Sequence, residues 1–125
     1  MRGKRSYLNS LQDMIDHALK AEAFIRDKTI DDLMQDEVLL FAVARALEVI
    51  GEASKQVPAS IKDQYPQVPW RSIAGMRDKI IHQYFGIDAE VLWATVKDDL
   101  PNMRLEVSNM LQEIKRKEEL QEDAR

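Results

Sequence analysis

The chain has 125 residues, 45% hydrophobic and 32% charged, with four glycines, four prolines and no cysteine. Such a composition excludes a disulfide-stapled scaffold, thiolate metal sites and a disordered chain, and it fits one soluble, helix-rich domain of a reducing cytoplasm. The net charge of −4 argues against a general nucleic-acid-binding surface and against DNA, and confines any RNA contact to a local patch.

A basic start, Met1-Arg2-Gly3-Lys4-Arg5-Ser6, leads into an amphipathic helix with no signal-peptide core behind it. Leu8, Leu11, Ile15, Ala18 and Ile25 recur at helical spacing and predict a first helix from about Ser6 to Arg26. Asp27 to Asp36 reads as a connector, in which Thr29 can cap a short turn beginning at Ile30. A second helix, about Asp36 to Lys55, is apolar nearly all round, and its exceptions Arg45, Glu48 and Glu52 share one stripe. That is the signature of a central bundle helix. Its apolar run, Val38 to Ala44, is too short to cross a bilayer.

Pro58, Pro66 and Pro69 allow only a short helix around Ser60 to Gln64. A third helix is expected from Pro69 to Gly86, with Gly86 as the residue just past its end. Asp88 can cap the next, from Ala89 to about Lys97, and Asp99 the last, with Pro101 in its first turn. From about Glu113 the sequence becomes a charged tail, whose Glu113/Lys117 pair suggests a solvated helix. There is no repeat and no strand-like alternation. The fold expected is an all-α antiparallel bundle of four to five helices over residues 1–125.

Chemistry concentrates in Arg77-Asp78-Lys79-Ile80-Ile81-His82-Gln83-Tyr84. His82 is one of two histidines and the natural acid–base group near neutral pH. Arg77 brings a permanent cation with a donor fork suited to phosphate. On one ideal helix the two lie about 140° apart and do not easily meet within a chain. Two readings follow. Arg77 is a buried charge paired with Glu48 or Glu52, and His82 is surface; or the third helix's apolar face is partly a dimer seam, and a two-fold axis brings both residues to one cleft.

Asp78, one helical turn before His82, is either a support for its ring or a solvated partner of little worth. Gly75 costs the helix about 1 kcal/mol relative to Ala and suggests a close approach there. Tyr84 is either a core tyrosine with its hydroxyl at the rim or a hydroxyl presented for modification or phosphate contact. His17 reads as surface, Trp70 and Trp93 as packing residues. No metal-ligand motif, phosphate loop or Ser/His/Asp order is present, so neither metal nor cofactor is expected.

Arg77-x4-His82-x-Tyr84 resembles the signature of the HepT-like toxins, a branch of the HEPN superfamily of helical ribonucleases. The likeness extends to Leu47-Glu48-Val49-Ile50-Gly51-Glu52-Ala53, to the run from Tyr65 to Arg77, to Tyr84-Phe85-Gly86-Ile87-Asp88 and to Leu100-Pro101. Together these cover roughly Asp36 to Leu111. The resemblance implies a HEPN-like domain and a metal-independent endoribonuclease that works as a homodimer, with Arg77 and His82 catalytic and Asp78 supporting. His82 would assist attack of a ribose 2′-hydroxyl on phosphorus while Arg77 stabilises the phosphoryl oxygens. It also implies a minimal nucleotidyltransferase antitoxin, MntA-like, that silences the toxin by moving AMP onto Tyr84. The rival from another class is a non-catalytic helical module that binds nucleotide or docks a nucleotidyltransferase.

Overall fold

The computed structural model describes residues 2–82 and 86–123, with side chains from Tyr7 onward and that of His82 excepted. Three long helices carry the core: α1 (Arg2–Phe24), α3 (Glu37–Lys55) and α8 (Leu100–Asp123). Leu11, Met14, Ile15, Ala18 and Ala21 form the stripe that α1 buries against α3 and α8. Both long partners contribute matching stripes, Val43, Leu47, Ile50 and Ser54 from α3 and Met103, Val107, Met110 and Ile114 from α8. Arg104 of α8 grips Glu22 of α1 through two bonds of 2.7 and 3.1 Å in a half-buried setting. That paired geometry is the stronger class of charged contact.

The chain leaves α1 through Asp27, whose φ of 64° is the left-handed conformation that Asp tolerates better than most residues. A capping box then starts α2 (Ile30–Gln35) as expected: the Thr29 hydroxyl accepts from the Asp32 amide at 3.2 Å, and the Asp32 carboxylate accepts from the Thr29 amide at 2.8 Å. Those bonds hold the Asp32 carboxyl below its ordinary range. Asp36 caps α3 by accepting from Leu39 at 3.1 Å, and the outward stripe of Arg45, Glu48 and Glu52 forms two surface pairs, Arg45–Glu48 at 3.3 Å and Lys55–Glu52 at 3.5 Å.

After α4 (Ala59–Lys62), the single third helix of the sequence reading is not found. In its place stand α5 (Trp70–Ala74), α6 (Met76–Ile80) and two short strands, β1 (Ile81–His82) and β2 (Gly86–Ile87). Gly75 separates the helices with φ −87° and ψ 4°, in the bridge region that closes a turn. At Ile81 the backbone turns extended, φ −104° and ψ 117°, where consecutive β-branched Ile80 and Ile81 favour strand over helix. The strands pair antiparallel, Ile81 opposite Ile87 and His82 opposite Gly86. Gly86 therefore belongs to a strand, with φ of 78°, and does not end a helix.

Asp88 caps α7 (Ala89–Ala94) by accepting from Val91 at 3.1 Å, as expected. Asp99 caps nothing. It lies in a π-helical turn, Thr95–Asp99, that runs straight into α8 with the Leu100 amide donating to the Thr95 carbonyl. Pro101 explains the widening, since in a plain α-helix its ring would press on the carbonyl of Lys97. Beyond Glu113 the chain stays helical to Asp123, with Ile114 buried and Glu113 bonded to Lys117 at 3.1 Å. No helix among the described residues is long and apolar enough to cross a membrane. The all-α class holds, with the two-residue ladder as its one unexpected addition among the described residues.

Candidate functional site

Met76 and Ile80 are buried and anchor α6, which leaves the intervening Arg77, Asp78 and Lys79 facing outward. The Arg77 side chain is 58% exposed, and its contact to Asp78 is long at 3.9 Å. Such an exposed pair contributes little. The buried-Arg77 reading is thereby overturned, because Glu48 and Glu52 lie on the outer stripe of α3 with Arg45 and Lys55 as their partners. The helical-wheel separation of Arg77 and His82 also lapses, since the chain quits the helix between them. His82 is reached through β1, two residues past the end of α6 at Ile80. Its side chain, and residues 83–85 with Tyr84 among them, lie outside the described residues.

Helical spacing between Asp78 and His82 fails for the same reason, and the Asp78 side chain is 89% exposed. Within the chain no other element closes on Gly75: a Cβ there would meet the Arg71 and Ser72 carbonyl oxygens of its own turn, at 3.4 and 4.0 Å. The close approach is instead at Gly51, where a Cβ would stand 3.2 Å from the Ile73 carbonyl oxygen. That contact lets α5 lie on α3 and so sets the height from which α6 departs. Of the apolar residues expected on this face, Ile73, Met76 and Ile80 are buried inside the fold, Trp70 and Ile81 are half-buried, and Phe85 lies outside the described residues.

Arg71, Arg77 and Lys79 are all exposed, and give this neighbourhood the local positive character that the sequence suggested. Trp70 packs, with its indole N–H donating to the Tyr65 carbonyl at 3.1 Å, and Lys62 lies 5.6 Å from the ring centre. Trp93 carries Lys97 over its face at 5.1 Å. His17 is half-buried, its Nδ1 2.8 Å from the Asp13 carbonyl oxygen. Among the described residues, no three His, Asp or Glu side chains are placed to hold a metal ion.

The break at Gly75 and the π turn face each other across a cavity of about 430 Å³ that no sequence pattern announced. Ile73, Met76, Leu100 and Met103 give it an apolar lining. Lys79, Asp98, Asp99 and Asn102 supply its charged and amide groups beside the hydroxyls of Ser72 and Thr95, and Arg77 does not reach it. The only sequence signal would have been Pro101 following an Asp-Asp pair inside a continuous helical pattern.

The HepT-like family, described as ribonuclease HepT-like, matches residues 14–110, which reaches further toward the start than the motifs alone did. "Probable ribonuclease HepT" of Thermococcus cleftensis is 48% identical over 101 residues, 81% of this chain and 92% of that protein. Two proteins of Methanocaldococcus jannaschii with RNase in their names are 36% and 40% identical, over 93% and 90% of this chain and 96% and 87% of theirs. No solved structure matches. On a match that spans most of its length, the chain belongs to the HepT-like family.

Proposed function

We propose that the protein is a metal-independent endoribonuclease that acts as a homodimer and is the toxin of a toxin–antitoxin pair. The observation that carries this reading is the α6–β1 corner. It presents Arg77 outward, unclaimed by any acid of the core, and delivers the chain to His82 within five residues. An exposed guanidinium is ready to take a phosphodiester, and a histidine five residues further along the chain is proposed to move the proton. In the reaction His82 accepts the proton of a ribose 2′-hydroxyl as its oxygen attacks the adjacent phosphorus. The P–O5′ bond breaks and the leaving oxygen takes a proton from a histidinium. Arg77 stabilises the charge that gathers on the phosphoryl oxygens.

The names of the relatives support RNA as substrate. For the homodimer, apolar surface is available on α3, where Val38 is 79% and Phe41 56% exposed on the outward stripe. A two-fold axis would double both the apolar contact and the α6–β1 corner. A minimal nucleotidyltransferase is proposed as the antitoxin, with Tyr84 as the acceptor of AMP. The test is cleavage of a structured RNA in EDTA by the wild type and by His82→Ala. Cutting by the wild type alone supports the reading, and equal cutting by both overturns it.

A further inference from the structure

The cavity between the Gly75 break and the π turn has the size of a small-molecule site, and its chemistry is specific. Met76 and Met103 offer polarizable thioether surface of the kind that packs against flat rings. Asp98 and Asp99 lie on the π turn as acceptors only, Lys79 contributes an ammonium, and Asn102 is held by its amide donating to Glu106 at 3.1 Å. A phosphate group alone does not fit a wall with two carboxylates and one cation. A ring with two adjacent donors and an acceptor beside them does. Guanine has that edge: N1–H and N2–H₂ pair with one carboxylate and O6 takes the ammonium.

Lys79 stands two residues from Arg77 on the same short helix, about 200° around it. The cavity thus lies on the far side of α6 from Arg77, and a strand held at Arg77 must pass around the helix before an unstacked base enters it, the usual way single-stranded RNA is read. Resting on the ribonuclease reading for its place in RNA, we infer that this cavity is a guanine subsite that gives cleavage its sequence preference.

The test uses the full chain carrying His82→Ala, labelled with ¹³C at its methionine methyls and titrated with GMP, AMP, CMP and UMP. GMP is expected to shift the Met76 and Met103 signals and to bind about tenfold more tightly than UMP, the discrimination usual for a paired base edge. Asp98→Asn combined with Asp99→Asn should erase that preference, and the wild type should cut beside guanines more often than the double variant does. Equal binding of all four nucleotides, or a preference untouched by the double variant, overturns the subsite. RNA left uncut by the wild type while GMP is still selected leaves the guanine site standing and removes the ribonuclease reading alone.

Discussion

The Ile73 carbonyl oxygen lies 3.2 Å from the place a Cβ on Gly51 would occupy. Gly51 is fully in the core of α3 and Ile73 in that of α5, so the two helices touch backbone to side-chain space, with no side chain between them. Everything after Ile73, including the Arg77 corner, is hung from this contact. Replacing Gly51 by Ala gains up to about 1 kcal/mol of helix propensity but presses a methyl on a backbone oxygen. Gly51→Val adds bulk with no propensity advantage, and should destabilise by about 1–3 kcal/mol in chemical denaturation. A Gly51→Val protein as stable as the wild type would show that α5 does not seat there.

A second long-range tie joins the segment before α5 to the last helix. The buried Tyr65 hydroxyl donates to Glu113 at 3.0 Å, 48 residues away. Burial first, and the bond to Glu113 second, push the Tyr65 hydroxyl up to about 12. An unfolded tyrosine ionises near 10, so between about pH 10 and 12 the folded chain holds a proton that the unfolded chain has lost. This contribution is complete below pH 10 and drains away as pH rises. Tyr65→Phe should cost about 1 kcal/mol at neutral pH and make stability fall less steeply in the alkaline window. Parallel wild-type and Tyr65→Phe unfolding curves from pH 9 to 12 would contradict the tie.

The long helices were legible because their apolar spacing is local and repetitive, and the caps at Thr29 and Asp88 because one side chain and one amide decide each. The Trp70 to Gly86 stretch misled for a physical reason. Ile73, Met76 and Ile80 sit at helical spacing whether or not the helix is interrupted between them, so periodicity is blind to the break at Gly75. The glycine was visible, but its cost alone does not show a helix break, and the close approach within the chain is at Gly51. Asp99 misled in the same way. Its place before Pro101 looks like a cap, and only the bond from Leu100 to Thr95 distinguishes a π turn from a new helix. The expected burial of Arg77 against Glu48 or Glu52 assumed one continuous helix on α3, whereas on the short α6 that side chain is exposed. The cavity needed both interruptions to be known, so no one-dimensional pattern contained it.

Exposure at Arg77 separates its chemistry from its structural worth. Arg77→Ala and Arg77→Lys should both leave stability within about 0.5 kcal/mol of the wild type, as surface changes usually do. Under the proposed mechanism, Arg77→Ala should cut RNA at least a hundredfold more slowly. Arg77→Lys should recover only part of that, since a point charge replaces a two-pronged donor. Full activity in Arg77→Lys would show that charge alone is required.

The exposed apolar residues of α3 supply the test of the dimer. Phe41→Asp puts a charge on the proposed seam at a residue that is 56% exposed in the single chain, so the fold should tolerate it. Sedimentation should show the wild type as a dimer at micromolar concentration and Phe41→Asp shifted to monomer, with RNA cleavage lost in step. A fully active monomer would refute a cleft that needs two subunits.

Tyr84 follows His82 by two residues and Arg77 by seven in the sequence, close in the chain to both proposed catalytic residues. Under the proposed function, esterifying its hydroxyl with AMP adds a negative phosphate and a bulky nucleoside to the segment that carries the arginine proposed to receive the RNA phosphate. Repulsion and occlusion then act together against substrate, by the logic of other charge-changing modifications. Tyr84→Phe should keep most of its ribonuclease activity and escape silencing by the nucleotidyltransferase partner with ATP. Peptide mass spectrometry after that incubation should find the added AMP on Tyr84 of the wild type. AMP on another residue, or a Tyr84→Phe protein still silenced by AMP transfer, would place the switch elsewhere.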